Sequence, residues 1–397
     1  MNKNTVALAC LVLSSFSHAV EVVSFTKNLD SKLVAKQSIA PEAITISDDG
    51  KQIAFIAKTE RDFSQAPPTT SWILKKNEKQ WSAPVMLPWG GKVTSVTFAN
   101  QDRWLVVSNS HPTVSGYVTI LKNLVGDHEQ IGNLFNFNHL IEIYDATNPK
   151  KLIKVFTPQD MGLKKPEMLK HARVSPDGKW MTFYTHGHDD QRGIYVYNFA
   201  TKRSQHLGLS DDKHPTWTPD GTKILFHLQE GGNASVDYGG EEKSVLGYYD
   251  LKVDANDDLA ATRFLMDSTR NQFHYHKHPS VYPGTDLVFF HGVLEAGSSK
   301  KLLVRRLGVD TKIFKISDIM INDLELKGAK HANSSLAANG LFFVAREKGK
   351  ATTAVINASP NSETVTKITI SDIKDIYSIS NNEVQKIVKF IKEHDSK

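Results

Sequence analysis

The sequence predicts an all-β fold: a β-propeller of six four-stranded blades, with seven possible, followed by a short amphipathic C-terminal helix. Three observations point there. A strand–turn–strand unit recurs six times along the chain. Asp-Gly occupies the turn in three of the units, at 49–50, 177–178 and 220–221, where glycine tolerates the positive φ of a tight hairpin. A second pair of strands follows the unit, most clearly in "GIYVYNFATKRSQHLGL" (193–209). Repeats of this length, each supplying four strands, stack as propeller blades.

Taken in order, the chain opens with a basic Met1–Lys3, an apolar run Thr5–Phe16 and Ser17-His18-Ala19. This reads as a secretory signal peptide over 1–19, too short in its apolar part to remain as a membrane anchor. The propeller is expected over 20–378, with "EVVSFTK" (21–27) pairing with the last blade to close the ring and hide its edges. The repeat units are "EAITISDDGKQIAFIAK" (42–58), the degenerate "TSVTFANQDRWLVVSNS" (94–110), "KHARVSPDGKWMTFYTHG" (170–187), "KHPTWTPDGTKILFHLQ" (213–229), "KHPSVYPGTDLVFFHGV" (277–293) and "KHANSSLAANGLFFVAR" (330–346). The segment 113–160 is long for one blade and leaves room for a seventh. In 379–397, Val384, Ile387, Val388 and Ile391 fall at helical spacing and predict the terminal helix.

The composition is that of a globular protein, with 397 residues, 40% hydrophobic and 23% charged. The net charge of +5 mildly favours anionic partners. The single cysteine, Cys10, lies in the leader, so any soft-metal site of the mature chain must be built from histidine. No G-x-S-x-G elbow, Walker loop or dinucleotide fingerprint is present. Aromatics do not interleave with a basic run, which argues against nucleic acid, and no segment after the leader has the length and hydropathy of a membrane span.

The candidate site comes from one repeat position. Lys-His occurs four times, at Lys170-His171, Lys213-His214, Lys277-His278 and Lys330-His331, always at the start of a blade's first strand. Ala43 and Ser95 take the equivalent place in the first two units. First strands surround a propeller's central channel, so the four histidines should form an arc at one channel mouth. Converging imidazoles suit a divalent ion such as Mn, Zn or Cu. His276, two residues before His278, should share its face, so the expected metal set is His171, His214, His276, His278 and His331. His227 and His291 end the second strand of their hairpins, Tyr184 holds the matching place in another blade, and these three are the candidate bases. Lys170, Lys213, Lys277 and Lys330 would ring the mouth and bind an anionic substrate. His186 and His188 begin a loop at the same end. The competing structural reading is that a repeated residue bonds one blade to the next.

The stretches "SPDGKWMTF" (175–183) and "TPDGTKILF" (218–226) resemble the TolB-like or WD-repeat-like propellers exported by bacteria, over roughly residues 40–360. That resemblance implies a periplasmic or secreted protein, and as one alternative a non-enzymatic binding or scaffold propeller with a protein partner. "HYHKHPSVYPGTDLVFF" (274–290) resembles the His-x-His-Pro-Ser stretch of oligogalacturonate lyases, metal-dependent propellers that cleave short pectin fragments by β-elimination. "ILFHLQEGGNASVD" (224–237) looks like a second stretch of that family, with Leu228-Gln229 intervening before Glu230. This resemblance implies that His276 and His278 are metal ligands and that the ligand is an acidic oligosaccharide, held at a mouth formed by loops 185–193, 228–247 and 292–300.

Overall fold

The computed structural model describes residues 40–58, 69–112 with short breaks, 137–208 apart from 165–166, 210–229, 244–254, 259–267, 275–294, 301–315, and strands and a helix between 333 and 394. The expected leader, the 21–27 strand, Lys330 and His331 lie outside the described residues, as do 230–243 and 295–300 in two of the expected mouth loops.

Among the described residues six antiparallel sheets follow one another, over 40–86, 95–156, 169–206, 212–265, 275–315 and 333–380. The first five have four strands each. The fourth and fifth are bridged by a single parallel pair, Ser244 and Tyr275. In the sixth, Ile373–Ser380 returns to pair with both Gly340–Arg346 and Thr353–Asn357. The first strands touch in cyclic order: Ala40–Ile46, Ser95–Ala99, Leu169–Val174, Asp212–Trp217, Tyr275–Val281, Asn333–Ala337, and back to Ala40–Ile46. The fold is a β-propeller with these strands around its axis. Phe137–Asp145 and Leu152–Phe156, from the segment that left room for another blade, are the third and fourth strands of the second sheet.

In the third and fifth blades both faces of the second strand are covered, so buried and exposed residues do not alternate along it. Every residue of Trp180–Thr185 and of Leu287–Val293 is buried. The cores lie between blades. Val106, Ile141 and Phe156 of the second sheet pack on Met181, Phe183 and Tyr197 of the third. Leu225, Leu246 and Met266 of the fourth pack on Val288, Phe290 and Leu303 of the fifth.

The Asp-Gly turns are built alike. Ser175 Oγ donates to Asp177 at 2.6 Å, Asp177 accepts the Lys179 amide at 3.1 Å, and Gly178 takes φ +75°. Ser47–Asp49 and Thr218–Asp220 repeat the arrangement, with Gly50 at +68° and Gly221 at +71°. The side chains close the turn by supplying acceptors for its backbone amides.

A buried ion pair joins the fourth and fifth blades. Arg305, fully buried, donates to Asp267 Oδ1 at 2.5 Å and to the Met266 carbonyl at 3.0 Å. Burial pushes the Asp267 carboxyl up, but His276 and the Arg305 guanidinium outweigh it and hold the group down at about 2. On the outside, Asn381–His394 is helical, Ile387 and Ile391 are buried, and Phe390 meets Phe314 edge-on at 5.6 Å. No helix among the described residues is long and apolar enough to cross a membrane.

Asp267→Asn would strand the buried Arg305 charge and should cost about 3–5 kcal/mol, the usual cost of breaking a buried pair. Urea unfolding measures this, and a loss below about 1 kcal/mol would contradict the assignment.

Candidate functional site

The first strands of the third, fourth and fifth blades carry the same irregularity. Lys170 pairs with Tyr184 and Arg173 with Thr182, so His171 and Ala172 together oppose Phe183. Lys213–Thr216 and Lys277–Ser280 repeat this β-bulge against His227–Leu225 and His291–Phe289. In each bulge the first extra residue is the histidine, with φ +51° at His171, +54° at His214 and +54° at His278. Glycine normally takes this left-handed position, because a β-carbon there costs roughly 1–2 kcal/mol. The second extra residue is Ala172, Pro215 or Pro279. The Ala172 amide, displaced from the ladder, donates to Ser108 Oγ of the second blade at 2.9 Å. The two prolines have no amide to strand.

The bulges turn the three rings into the channel. His171 and His214 have centroids 3.8 Å apart, His214 and His278 4.2 Å, and His171 and His278 6.3 Å. His227 stands 4.5 Å from His214 and 5.6 Å from His278, His291 stands 4.6 Å from His278, and Tyr184 stacks on His171 at 5.6 Å. Five imidazoles from three blades thus form one cluster. The channel cavity, about 60 Å³, is lined by His171, His214 and His278 together with Ala43 and Ser95 of the first two blades.

The first two blades lack the histidine bulge. In the first blade Pro41 pairs with Ala57 and Ala43 with Ile56, so the extra residue, Glu42, falls one ladder step further from the turn, and Ala43 lines the cavity beside the histidines. In the second blade there is no bulge, and Ser95 pairs directly with Ser108. Counting residues back from the turn misplaces the register by one wherever a bulge intervenes.

His276 is also not where simple alternation puts it. It is fully buried inside its blade, with Nδ1 3.6 Å from Asp267 Oδ2 and its ring 5.0 Å from Phe290. Gly292 makes room for it, since a β-carbon there would come within 2.8 Å of the ring. The left-handed turn at His278 breaks the two-residue period that would have aligned the pair.

The lysines flank the cluster. Lys213, His227 and Lys277, His291 are directly cross-strand pairs, as are Lys170 and Tyr184. Lys213 Nζ donates to Gln229 Oε1 at 2.6 Å, and Lys277 lies 4.8 Å over the Tyr275 ring. Burial, with the positive charge of neighbouring residues adding to it, holds His171, His214 and His227 well below the usual imidazole range. Burial pushes the Tyr184 hydroxyl well up, so it keeps its proton. His186 is lowered by burial, then by Lys170 and Lys213, which places it near that rim.

Among the described residues, no three His, Cys, Asp or Glu side chains are already set as ligands around one point. Two imidazoles on one ion at 2.0–2.1 Å would have centroids about 5 Å apart, so the closest pairs here need to open slightly. The donor set nevertheless fits a metal: Nδ1 of both His214 and His227 is buried without a hydrogen-bond partner among the described residues.

The second blade holds a buried polar network that the sequence reading passed over. Ser110 Oγ and His139 Nδ1 are 2.7 Å apart, and Glu142 accepts from His111 at 2.7 Å, Asn109 at 2.9 Å and Tyr144 at 3.0 Å. The polar run "SNSH" (108–111), facing a strand that carries His139 and Glu142 and is paired with it residue for residue, was its signal.

No protein-family model matches the chain, and no curated protein matches it. Among solved structures it is similar to TolB from Acinetobacter baumannii, with 13% identity and a TM-score of 0.45 over 84% of this chain and 63% of that one. It is similar to Kuenenia stuttgartiensis hydrazine synthase, with 13% identity and a TM-score of 0.47 over 80% and 84% of the two chains. Pseudomonas aeruginosa periplasmic gluconolactonase gives 11% identity and a TM-score of 0.45 over 85% and 87%. The chain thus spans less than two thirds of that TolB's length. The β-propeller domain of the Trilobed protease from Pyrococcus furiosus is also similar, with 13% identity and a TM-score of 0.42 over 78% and 79% of the two chains.

Because φ is positive at His214, His214→Gly should be more stable than His214→Ala by about 1 kcal/mol, the reverse of the order at an ordinary strand position. Paired thermal melts test it. The lowered imidazoles also set a pH dependence. Below about 6.5 the unfolded chain takes up protons that these folded histidines do not. Stability is therefore full above that pH and falls as pH drops through the acid side, by up to about 1.4 kcal/mol per unit for each such histidine. Urea titrations of metal-free protein at several pH values should show this slope, and His227→Leu should reduce it.

Proposed function

We propose that the channel cluster is a divalent-metal centre serving elimination chemistry on an acidic oligosaccharide. The observation that carries this reading is the triple occurrence of histidine in a strained left-handed bulge, with all three rings in one cluster. Such strain concentrates at functional sites, because packing alone would be served better by glycine. His171, His214 and His278 would hold the ion. When bound, it would supply Lewis-acid stabilisation of charge developing beside a carboxylate.

The chain's own groups divide the remaining work. His227 is buried, neutral and close to His214 and His278, which suits it to take a proton; His291 occupies the same place in the next blade. Tyr184, whose hydroxyl burial keeps protonated, is a donor rather than the base that its position suggested. Lys213 and Lys277 at the rim suit a uronate carboxylate. The cavity is too small for a sugar ring, so the oligosaccharide would lie across the mouth with one carboxylate directed inward. A purely structural role for the register has its own support in the Ala172–Ser108 bond between blades.

Purified protein should contain or take up one Mn, Zn or Cu ion, and chelation should lower its melting temperature by mass action. The double variant His171→Ala/His214→Ala should lose the ion. Uronate oligomers should yield an ultraviolet-absorbing unsaturated product with loaded wild type and none with His227→Ala. Wild type that neither binds an ion nor forms product, in a folded state matched by the double variant, would leave the scaffold reading in its place.

A further inference from the structure

Beside the histidines, the same cavity is lined by Arg173, Thr216, Ser280, Thr94 and Ser95. Arg173, Thr216 and Ser280 hold one repeat position, two residues after His171, His214 and His278. Among the described residues no carboxylate lies within ion-pair distance of the Arg173 guanidinium, whereas Arg192, Arg263, Arg305 and Arg306 each have one. Among the described residues that line the cavity there is no aspartate or glutamate. Ser95 is 5% exposed, and its Oγ has no hydrogen-bond partner among the described residues. A guanidinium and a buried hydroxyl that lack protein partners among the described residues face one partly open cavity, where a ligand could satisfy both.

We propose that the central channel binds a small oxyanion, carboxylate- or phosphate-sized, between Arg173 and Ser95. The charge calls for an anion, and the planar guanidinium presents paired N–H donors to two oxygens at once. The volume of about 60 Å³ limits the ligand to the space of a few waters, at roughly 10–15 Å³ each. Thr216 and Ser280 supply further hydroxyls around the ring. The site needs no metal and stands apart from the reading of the histidines.

The test uses full-length protein in excess chelator, at constant ionic strength set with chloride. Acetate, galacturonate and inorganic phosphate are titrated separately, and binding is followed by calorimetry and thermal melts. At least one should raise the wild-type melting temperature in a saturable way; which one does so identifies the oxyanion class. Arg173→Gln should weaken binding at least tenfold and, with no charge left to desolvate, melt no lower than wild type in anion-free buffer. Arg173→Lys should fall between the two, and Ser95→Ala should weaken binding several-fold. Because excess chelator is present throughout, anion binding is read without any metal, which separates this outcome from that of the metal experiment. Wild type that responds to none of the three beyond chloride, or an Arg173→Gln protein that responds as wild type does, overturns the proposal.

Discussion

Every sheet of this protein must be covered on both faces, and only its neighbours in the ring can cover it. That constraint governs the rest. It makes second strands such as "MTFYT" and "LVFFHGV" buried throughout, it puts the hydrophobic cores between blades, and it directs the first strands toward one another around the axis. Hydrophobic burial is non-directional, so it brings the blades together without fixing their register. Directional bonds do that: Ala172 to Ser108, Trp217 Nε1 to the Arg173 carbonyl at 3.1 Å, and the buried Arg305–Asp267 pair between the fourth and fifth blades.

The bulge is the point where fold and site meet. A regular strand would alternate its side chains between the two interblade cores and leave only small lining groups on the channel. Inserting one residue in a left-handed turn swings a side chain toward the axis without disturbing the ladder on either side. Three blades do this with histidine at the same place, so three residues separated by 107 positions of chain converge. The same device carries Arg173, Thr216 and Ser280 along with them, because each follows its bulge by a fixed two residues. A cationic and hydroxyl-bearing layer beside an imidazole layer is thus the product of one backbone feature repeated three times.

Burial then decides protonation. Imidazoles in contact with one another and flanked by lysine and arginine cannot all carry charge, so His171, His214 and His227 are neutral over the physiological range. Neutral imidazole is the form that binds metal or accepts a proton. Tyr184 occupies the same register place as His227 and His291, yet burial has the opposite chemical result there, because its charged form is the one that gives up a proton.

The sequence by itself determined the repeat, the turns and the shared position of the Lys-His pairs. These follow from local rules: Asp-Gly closes hairpins, and residues at one repeat position share one place in the ring. The terminal helix was legible for the same reason, with Ile387 and Ile391 one turn apart and both buried. The tertiary structure decided what depends on non-local register. Only the bulge shows that His276 turns inward to Asp267 instead of joining His278. Only the closed ring sets Arg173 and Ser95, from different blades, around one cavity. A single residue inserted in a strand reverses every face assignment beyond it, and no local pattern in "KHAR" or "KHPS" distinguishes a bulged strand from a straight one.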